Sequence, residues 1–565
     1  MSIINQHADA FRALPAPTLA AEYRARGWWG DRSLADHIAA HARANPTGTA
    51  FVTDDGRLTW ADYRRSADRI AAALVTAGFD PGDRIGVLLA DGATAHAAFV
   101  GAERAGLTVV GIGARAGARE IGHLLEQTGA QTLVTADVHR GEPTTALVER
   151  LREEGVALAG HVVVPTVERD PDGAILVDGT PVEATADPAV LATRAIGPDD
   201  LFLINSTSGT TGLPKCVMHH QNRWMYFHQQ AVRNGALSSA DVFYSAVPAP
   251  FGFGLWTAHF TPTLLGAPTV VTERFDAARA LESIERERVT VLGCVSTQFL
   301  MMLNEPTLAE RDLSSLRVMF TGGEAVPYER AQAFEERTGC VVLQFFGSNE
   351  TGLLSGTAID DPPERRLRTA GRIVPEMQVR LFDGDEDVTS RGWGQPGCRG
   401  PATCLGYLGD DDANNQLFTQ DGWMRMGDIC SIDADGWLTV TGRTSDIIIR
   451  GGKNISAAHV EDEVATHPAV ALASAVAWPD PIFGERVCAY VELHPGASLD
   501  LDRLREHLVT RGTSPELLPE RVVVLDRLPR SSGGKVAKGE LREDGRRRAI
   551  GDAAGAPQSR EGKEG

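Results

Sequence analysis

Cysteine is sparse and unpaired in this sequence. Its seven cysteines are scattered over 565 residues with no C-x-x-C spacing, which argues against a disulfide framework and suits free thiols in a reducing compartment. Basic charge is also in deficit. Lys and Arg number 55 against 75 Asp and Glu, a net charge of −20, which speaks against non-specific binding to nucleic acid or to an anionic membrane surface. No uncharged apolar run approaches the roughly 20 residues that cross a bilayer. The opening MSIINQHADAFRALPAP has no basic segment ahead of an apolar core, so no secretory signal is expected. Internal repeats are absent too. The expected location is the cytoplasm, with no nucleic-acid or membrane partner. What remains is an ordinary globular composition on a chain too long for one hydrophobic core, so several domains are expected.

Hydrophobic periodicity supplies the architecture. Leu34, Ile38 and Ala39 fall at helical spacing in a helical preamble over residues 1–50. Strand patterns at 84–89, 107–112 and 132–135 then alternate with helical patterns at 93–105 and 120–127. A second alternating run has strands at 242–247, 290–292, 316–320 and 341–345, with a helix at 275–287. Strand–helix repetition of this kind implies parallel sheets covered by helices, with sites at the strands' carboxyl ends. Residues 376–442 turn Gly- and Pro-rich with short alternating runs, as in a small β-subdomain. Beyond Arg443 a compact α+β pattern has strands at 447–449, 470–477 and 486–493 and helices at 458–466 and 501–509. The end of the chain, from about residue 549, is Gly/Ala/Glu-rich without a large apolar residue beyond Ile550 and is expected to be disordered.

The most informative stretch is Asn205–Met218, NSTSGTTGLPKCVM, entered from the apolar run Leu201–Ile204. Thr207, Ser208, Gly209, Thr210, Thr211 and Gly212 offer hydroxyl donors and backbone N–H groups free to turn inward, and Lys215 adds a charge. That combination suits a polyphosphate. Pro214 precedes the lysine and no Ser or Thr follows it, so this is not a Walker-type loop. Standing alone, it would read as a Ser/Gly-rich surface loop. Further along stand Thr321-Gly322-Gly323-Glu324, whose glycines let backbone approach a flat ring closely, and Phe346-Gly347-Ser348-Asn349-Glu350-Thr351. Arg425-Met426-Gly427-Asp428 and Arg530-Ser531-Ser532-Gly533-Gly534-Lys535-Val536 follow.

TSGTTGLPK resembles the phosphate loop of the adenylate-forming superfamily: acyl- and aryl-CoA synthetases, adenylation domains of peptide synthetases, and beetle luciferases. The motifs occur in that family's order, and the resemblance runs from about Leu34 to Arg548. It implies an α/β fold, with an N-terminal domain of packed parallel-rich sheets plus a small β-subdomain over residues 1–443. A small mobile α+β C-terminal domain would cover 444–548 and a disordered tail 549–565. The implied reaction is ATP-dependent activation of a carboxylic acid to acyl-AMP with release of pyrophosphate, then transfer to the thiol of CoA. The alternative acceptor is a phosphopantetheine carrier protein or a separate acyltransferase. A non-catalytic nucleotide sensor is the reading from another class; it would lose Lys535 or Glu350, and both are present.

Residue by residue, the resemblance gives the phosphate loop to Thr207–Gly212 and Lys215, and Mg²⁺ to Glu350 with Thr211. Phe346, where the family usually has Tyr, would stack on adenine beside Gly347; Gly322, Gly323 and Glu324 would cover its other face. Asn349 stands where Thr usually meets the α-phosphate, Asp428 would hold the ribose, and Arg443 would contact the nucleotide near the hinge. Lys535 would act in adenylation, Ser445 would be the hinge, and Gly451 and Gly452 would line the thiol tunnel. The acid pocket falls on Phe251, Gly252, Phe253, Gly293 and Leu354, whose aromatics and glycine gaps suggest a wide apolar cavity for a bulky alicyclic, polycyclic or aryl acid. A monomer or homodimer is expected. Four departures stand out: Cys216 for a common Gly, Ser445 for Asp or Lys, Phe251 where many CoA ligases carry His, and a segment 394–407 about three residues short, which suggests a missing strand.

Overall fold

A run as apolar as Leu201–Ser206 must be covered on both faces, and in the computed structural model every residue of that strand is buried. The structure describes residues 17–207, 214–323, 326–443, 446–450, 453–480, 483–530 and 535–555. Leu201–Ser206 pairs in parallel with Thr108–Ile112 and antiparallel with Cys216–His220. Arg84–Leu88, Thr132–Thr135 and Gly160–Val163 extend the parallel set. With the edge strands Leu176–Val177 and Thr180–Pro181 they make, among the described residues, an eight-stranded sheet.

A second sheet, of nine strands among the described residues, runs in spatial order from Gly56–Thr59 through Thr49–Thr53, Thr269–Val271, Phe243–Ser245, Val291–Gly293, Val318–Gly322 and Val341–Ser348 to Gly352–Gly356 and Arg372–Ile373. Its six middle strands are parallel. Strand order reverses at Phe243–Ser245, which lies between Thr269–Val271 and Val291–Gly293. The loop leaving its carboxyl end therefore opens at a topological switch point, where sheets of this kind take ligands. The N-terminal pair Thr49–Thr53 and Gly56–Thr59 joins this sheet; it lies just past the helical preamble expected over residues 1–50, where periodicity assigned no strand.

The helix Ala93–Ala105 follows the expected bounds and is buried at nearly every position, as a helix apolar on all sides should be. Its small residues admit the helix Trp60–Thr76 closely: a Cβ at Gly101 would lie 2.9 Å from Ile70 Cβ. Residues 376–443 form the expected short strands, with Gln378–Asp383 and Trp393–Arg399 antiparallel. Residues 394–399 of the shortened segment lie in Trp393–Arg399; its far end meets Cys216–His220 at a bridge, Val217 to Tyr407, with Leu405 and the following Leu408 donating to the carbonyls of Met218 and Cys216.

Contacts divide the chain into one unit of Met1–Met426 with Ser431–Thr439 and another of Gly427–Cys430 with Val440–Gly565. In the second, Val470–Asp480 pairs antiparallel with Gly484–Leu493, and Arg521–Val524 adds a parallel strand. Ile448, Val460, Val464, Val487, Val491, Leu504 and Leu508 form its core. One expectation needs correction. The helix Lys538–Gly555 carries order past residue 549, because Leu541 and Ala549 pack against Trp478 and Tyr490; residues 556–565 lie outside those described. No described helix is long and apolar enough to cross a membrane.

Candidate active site

The hairpin of Val341–Ser348 and Gly352–Gly356 carries the site. Its strands approach so closely that a Cβ at Gly347 would sit 1.7 Å from the Gly352 carbonyl oxygen, so only glycine fits. In the turn, Ser348 Oγ accepts from the N–H groups of Glu350 at 3.2 Å and Thr351 at 3.0 Å. Thr351 Oγ1 accepts from the Ser348 N–H at 3.0 Å. These bonds present Asn349 and Glu350 side by side.

Arg223, on the helix Gln221–Gly235, anchors that turn from the interior. It is 1% exposed, and its guanidinium donates to the carbonyl oxygens of Asn349 at 2.9 Å, Glu350 at 3.2 Å and Ala402 at 2.8 Å. Glu350 Oε1 accepts from the Tyr407 hydroxyl at 2.8 Å, and its Oε2 has no partner among the described residues. Burial, then the Glu350 charge, pushes the Tyr407 phenol well above its ordinary range, so it stays a neutral donor. Lys215 Nζ stands 4.8 Å from the centroid of the Tyr407 ring. One tyrosine thus links the lysine of the phosphate loop to the carboxylate of the hairpin. Neither Arg223 nor Tyr407 was legible in the sequence; an arginine next to Trp224, Tyr226 and Phe227 was the available signal for the first.

The other expected residues divide by unit. Thr207 closes the base of its loop through its N–H to the Lys215 carbonyl at 3.1 Å, while Ser208, Gly209, Thr210, Thr211 and Gly212 lie outside the described residues. Gly322 ends its strand where a Cβ would meet the Phe345 carbonyl oxygen at 2.0 Å, and Gly323 has φ +74°; Glu324 is not described. Phe346 is half-buried on the same hairpin. In the second unit, Asp428 is buried at the head of Asp428–Ile432 and Lys535 is half-buried beside the Arg530–Val536 bridge. Ser445, Gly451 and Gly452, and the side chain of Arg443, lie outside the described residues.

The acid-pocket reading needs correction at its glycines. Gly293 opens no space: a Cβ there would lie 2.7 Å from Thr257 Cγ2 and 2.8 Å from its Cβ. Thr257 cannot yield easily, because its hydroxyl bonds Ser245 Oγ at 2.7 Å and the Phe253 carbonyl at 2.8 Å. Gly254 is likewise a packing glycine, with the Pro248 carbonyl 2.4 Å from its would-be Cβ. Trp256, 1% exposed, stacks between Phe227 and Phe345 as core, and Leu354 is fully buried. Gly252 borders Asn349, its would-be Cβ 3.0 Å from Asn349 Oδ1 and 3.2 Å from Trp224 Cη2; Phe251 and Phe253 beside it are half-buried. Gly293→Ala is therefore expected to cost about 1–3 kcal/mol by overpacking while leaving the range of accepted acids unchanged. Denaturant unfolding and an acid panel check this; an altered panel at full stability restores Gly293 to the pocket wall.

Comparison with known proteins agrees with this geometry. The family model "AMP-binding enzyme" matches residues 38–408, and "AMP-binding enzyme C-terminal domain" matches 459–535. A 2-hydroxy-7-methoxy-5-methyl-1-naphthoate–CoA ligase of Streptomyces carzinostaticus is 32% identical over 94% of this chain and 98% of its own. A salicyl-AMP ligase/salicyl-S-ArCP synthetase of Mycobacterium tuberculosis is 32% identical over 92% of both chains. The crystal structure of the anthranilate CoA ligase AuaEII with anthranoyl-AMP superposes with a TM-score of 0.81, covering 93% of this chain and 98% of that one at 23% identity, a likeness of fold. The chain belongs to the AMP-binding enzyme family and is an AMP-forming ligase of the adenylate-forming superfamily.

Proposed function

We propose that this enzyme joins a bulky apolar carboxylic acid, polycyclic, alicyclic or aryl, to ATP with release of pyrophosphate, then passes the acyl group to the thiol of CoA. The observation that carries the reading is the convergence of Lys215, Tyr407, Glu350 and Asn349 on the Arg223-anchored hairpin. The acid is already ionised at neutral pH and needs no general base, so the task is to bring two anions together at the α-phosphorus. Asn349 N–H and the loop donors of residues 207–212 would bind phosphate oxygens. Lys215 and, from a mobile domain of residues 444–548, Lys535 would offset negative charge where it is redistributed in the transition state.

Phe346 with Gly347 would stack on adenine, Gly322–Glu324 would cover its other face, and Asp428 would accept from the ribose hydroxyls as ionised carboxylates do well. Arg443 would contact the nucleotide, Ser445 would absorb the domain swing, and Gly451 and Gly452 would admit the thiol. Glu350 Oε2, a hard oxygen donor, fits Mg²⁺, which takes few protein ligands and otherwise phosphate and water; the resemblance adds the Thr211 hydroxyl, and an ion held there would supply charge neutralisation. Aryl and bicyclic substrates in the relatives' names support the acid class, and Phe251 and Phe253 would line its pocket beside Gly252. The salicyl-S-ArCP synthetase relative keeps a carrier protein as the second acceptor.

Acid-dependent exchange of pyrophosphate into ATP across a panel of acids tests the first half-reaction, and product mass with CoA the second. Naphthoate- and salicylate-like acids are expected to exceed acetate by tenfold or more. No exchange with any acid sinks the reading, and a preference for acetate sinks the acid class.

A further inference from the structure

Behind Asn349 a chain of buried polar groups runs back to Arg223 through Asn205 and His219, two residues that the assignment above does not use. His219 stands next to last in the strand Cys216–His220, just ahead of the helix that carries Arg223, and the guanidinium Nη1 bonds His219 Nδ1. His219, fully buried, bonds Asn205 Oδ1 through Nε2 at 2.7 Å. Asn205 Nδ2 donates to the Pro250 carbonyl at 2.9 Å and to Asn349 Oδ1 at 3.2 Å, and Asn349 Nδ2 donates back to Asn205 Oδ1 at 2.6 Å. Every member lies in the first unit, and His219 and Asn205 are each at most 1% exposed.

The directions of these bonds follow from one fact: a guanidinium can only donate. His219 Nδ1 must therefore accept. Burial, with the Arg223 charge, holds this imidazole well below its ordinary range, so it is neutral and its one proton sits on Nε2. Asn205 must then present oxygen to His219, which turns its nitrogen toward the Pro250 carbonyl and Asn349. Asn349, receiving at its oxygen, keeps its nitrogen on the Asn205 side of the pair. One of its two N–H groups goes to Asn205 Oδ1, and the second has no partner among the described residues. A reversed amide would place Asn349 oxygen where its nitrogen now stands, acceptor against Asn205 Oδ1, and would offer an acceptor where that second N–H now points.

We propose that Arg223, His219 and Asn205 are positioning residues that fix the amide of Asn349 so that it offers an N–H, not a carbonyl oxygen, to the reacting anions. This rests on the reading that Asn349 faces the α-phosphate. It also accounts for an arginine charge buried against carbonyl oxygens: the same guanidinium sets the backbone of residues 349–350 and, through His219, the side chain of Asn349. A threonine at 349, the usual family residue, needs none of this, because a hydroxyl rotates to donate by itself.

Double-mutant exchange kinetics test it. Asn349→Ala must first slow acid-dependent pyrophosphate exchange; if it does not, the reading of the site fails and the relay has nothing to position. Given that loss, His219→Leu is expected to slow exchange about tenfold in the otherwise native enzyme and less than threefold in the N349T background. His219→Gln, whose Nε2 can occupy the place of the ring nitrogen, is expected to recover most of the loss. A role in packing alone costs the same in both backgrounds, and that result, or full activity of His219→Leu, overturns the proposal. Should His219→Leu fail to fold, Asn205→Ala breaks the relay at its other end and is judged by the same criterion.

Discussion

Replacing Lys535 by alanine is expected to slow acyl-AMP formation by about 10²-fold or more, the scale of losing one transition-state charge contact. Conversion of supplied acyl-adenylate to thioester should survive. The split follows from the charge balance of the two half-reactions. In the first, a carboxylate approaches a polyphosphate, and a cation between them offsets repulsion that grows as the bond to phosphorus forms. In the second, a thiol attacks an acyl carbon, and pyrophosphate has already gone. Lys535 follows two glycines in the sequence, Gly533-Gly534-Lys535, as in the family loop that it resembles. Separate assays of exchange and of thioester formation from synthetic acyl-adenylate decide the matter. Equal loss in both means that Lys535 supports the domain rather than the adenylation step.

Glu350→Gln is the second large effect, a loss of about 10² to 10³ in adenylation rate with at least a tenfold rise in the Mg²⁺ needed for half-maximal exchange. Glutamine keeps the volume, and its Oε1 can still accept from Tyr407, so the hairpin should stand and the unfolding midpoint should stay near that of the native enzyme. What changes is charge. The Oε2 position, without a partner among the described residues, becomes an amide nitrogen, which has no lone pair to offer a hard cation. An isothermal exchange series in Mg²⁺ reads both quantities. A variant within threefold of native rate at all Mg²⁺ concentrations would show that Glu350 serves only to orient Tyr407 and Lys215.

How much of this was legible beforehand can be followed in particular residues. The helix Ala93–Ala105 and the strand Thr132–Thr135 match the periodic pattern residue for residue, because burial is written locally in the spacing of apolar side chains. Asn349, Glu350 and Lys215 were found by motif, since a phosphate site needs small residues, donors and charge close together in the chain. The contacts that hold them were not. Arg223 reaches Asn349 across 126 positions and Tyr407 reaches Glu350 across 57, and nothing local to either residue announces such a partner.

Gly293 shows the converse. In sequence, a glycine that leaves a gap and a glycine that lets Thr257 pack against a strand are the same letter; only the position of Thr257 separates them. The placing of the strand Thr49–Thr53 was hidden for a related reason: its hairpin partner Gly56–Thr59 is local, but the strand that seats the pair in the sheet, Thr269–Val271, lies more than 200 residues away. By itself the sequence determined the class of fold, the order of the elements and the residue types at the phosphate site, because each is set by short-range periodicity or by chemistry carried in contiguous residues. Tertiary structure decided which strands are neighbours, which glycines are filled by packing and which way the Asn349 amide is turned against Asn205. Those depend on side chains brought together by chain reversal, where one buried guanidinium can fix the direction of a whole series of hydrogen bonds.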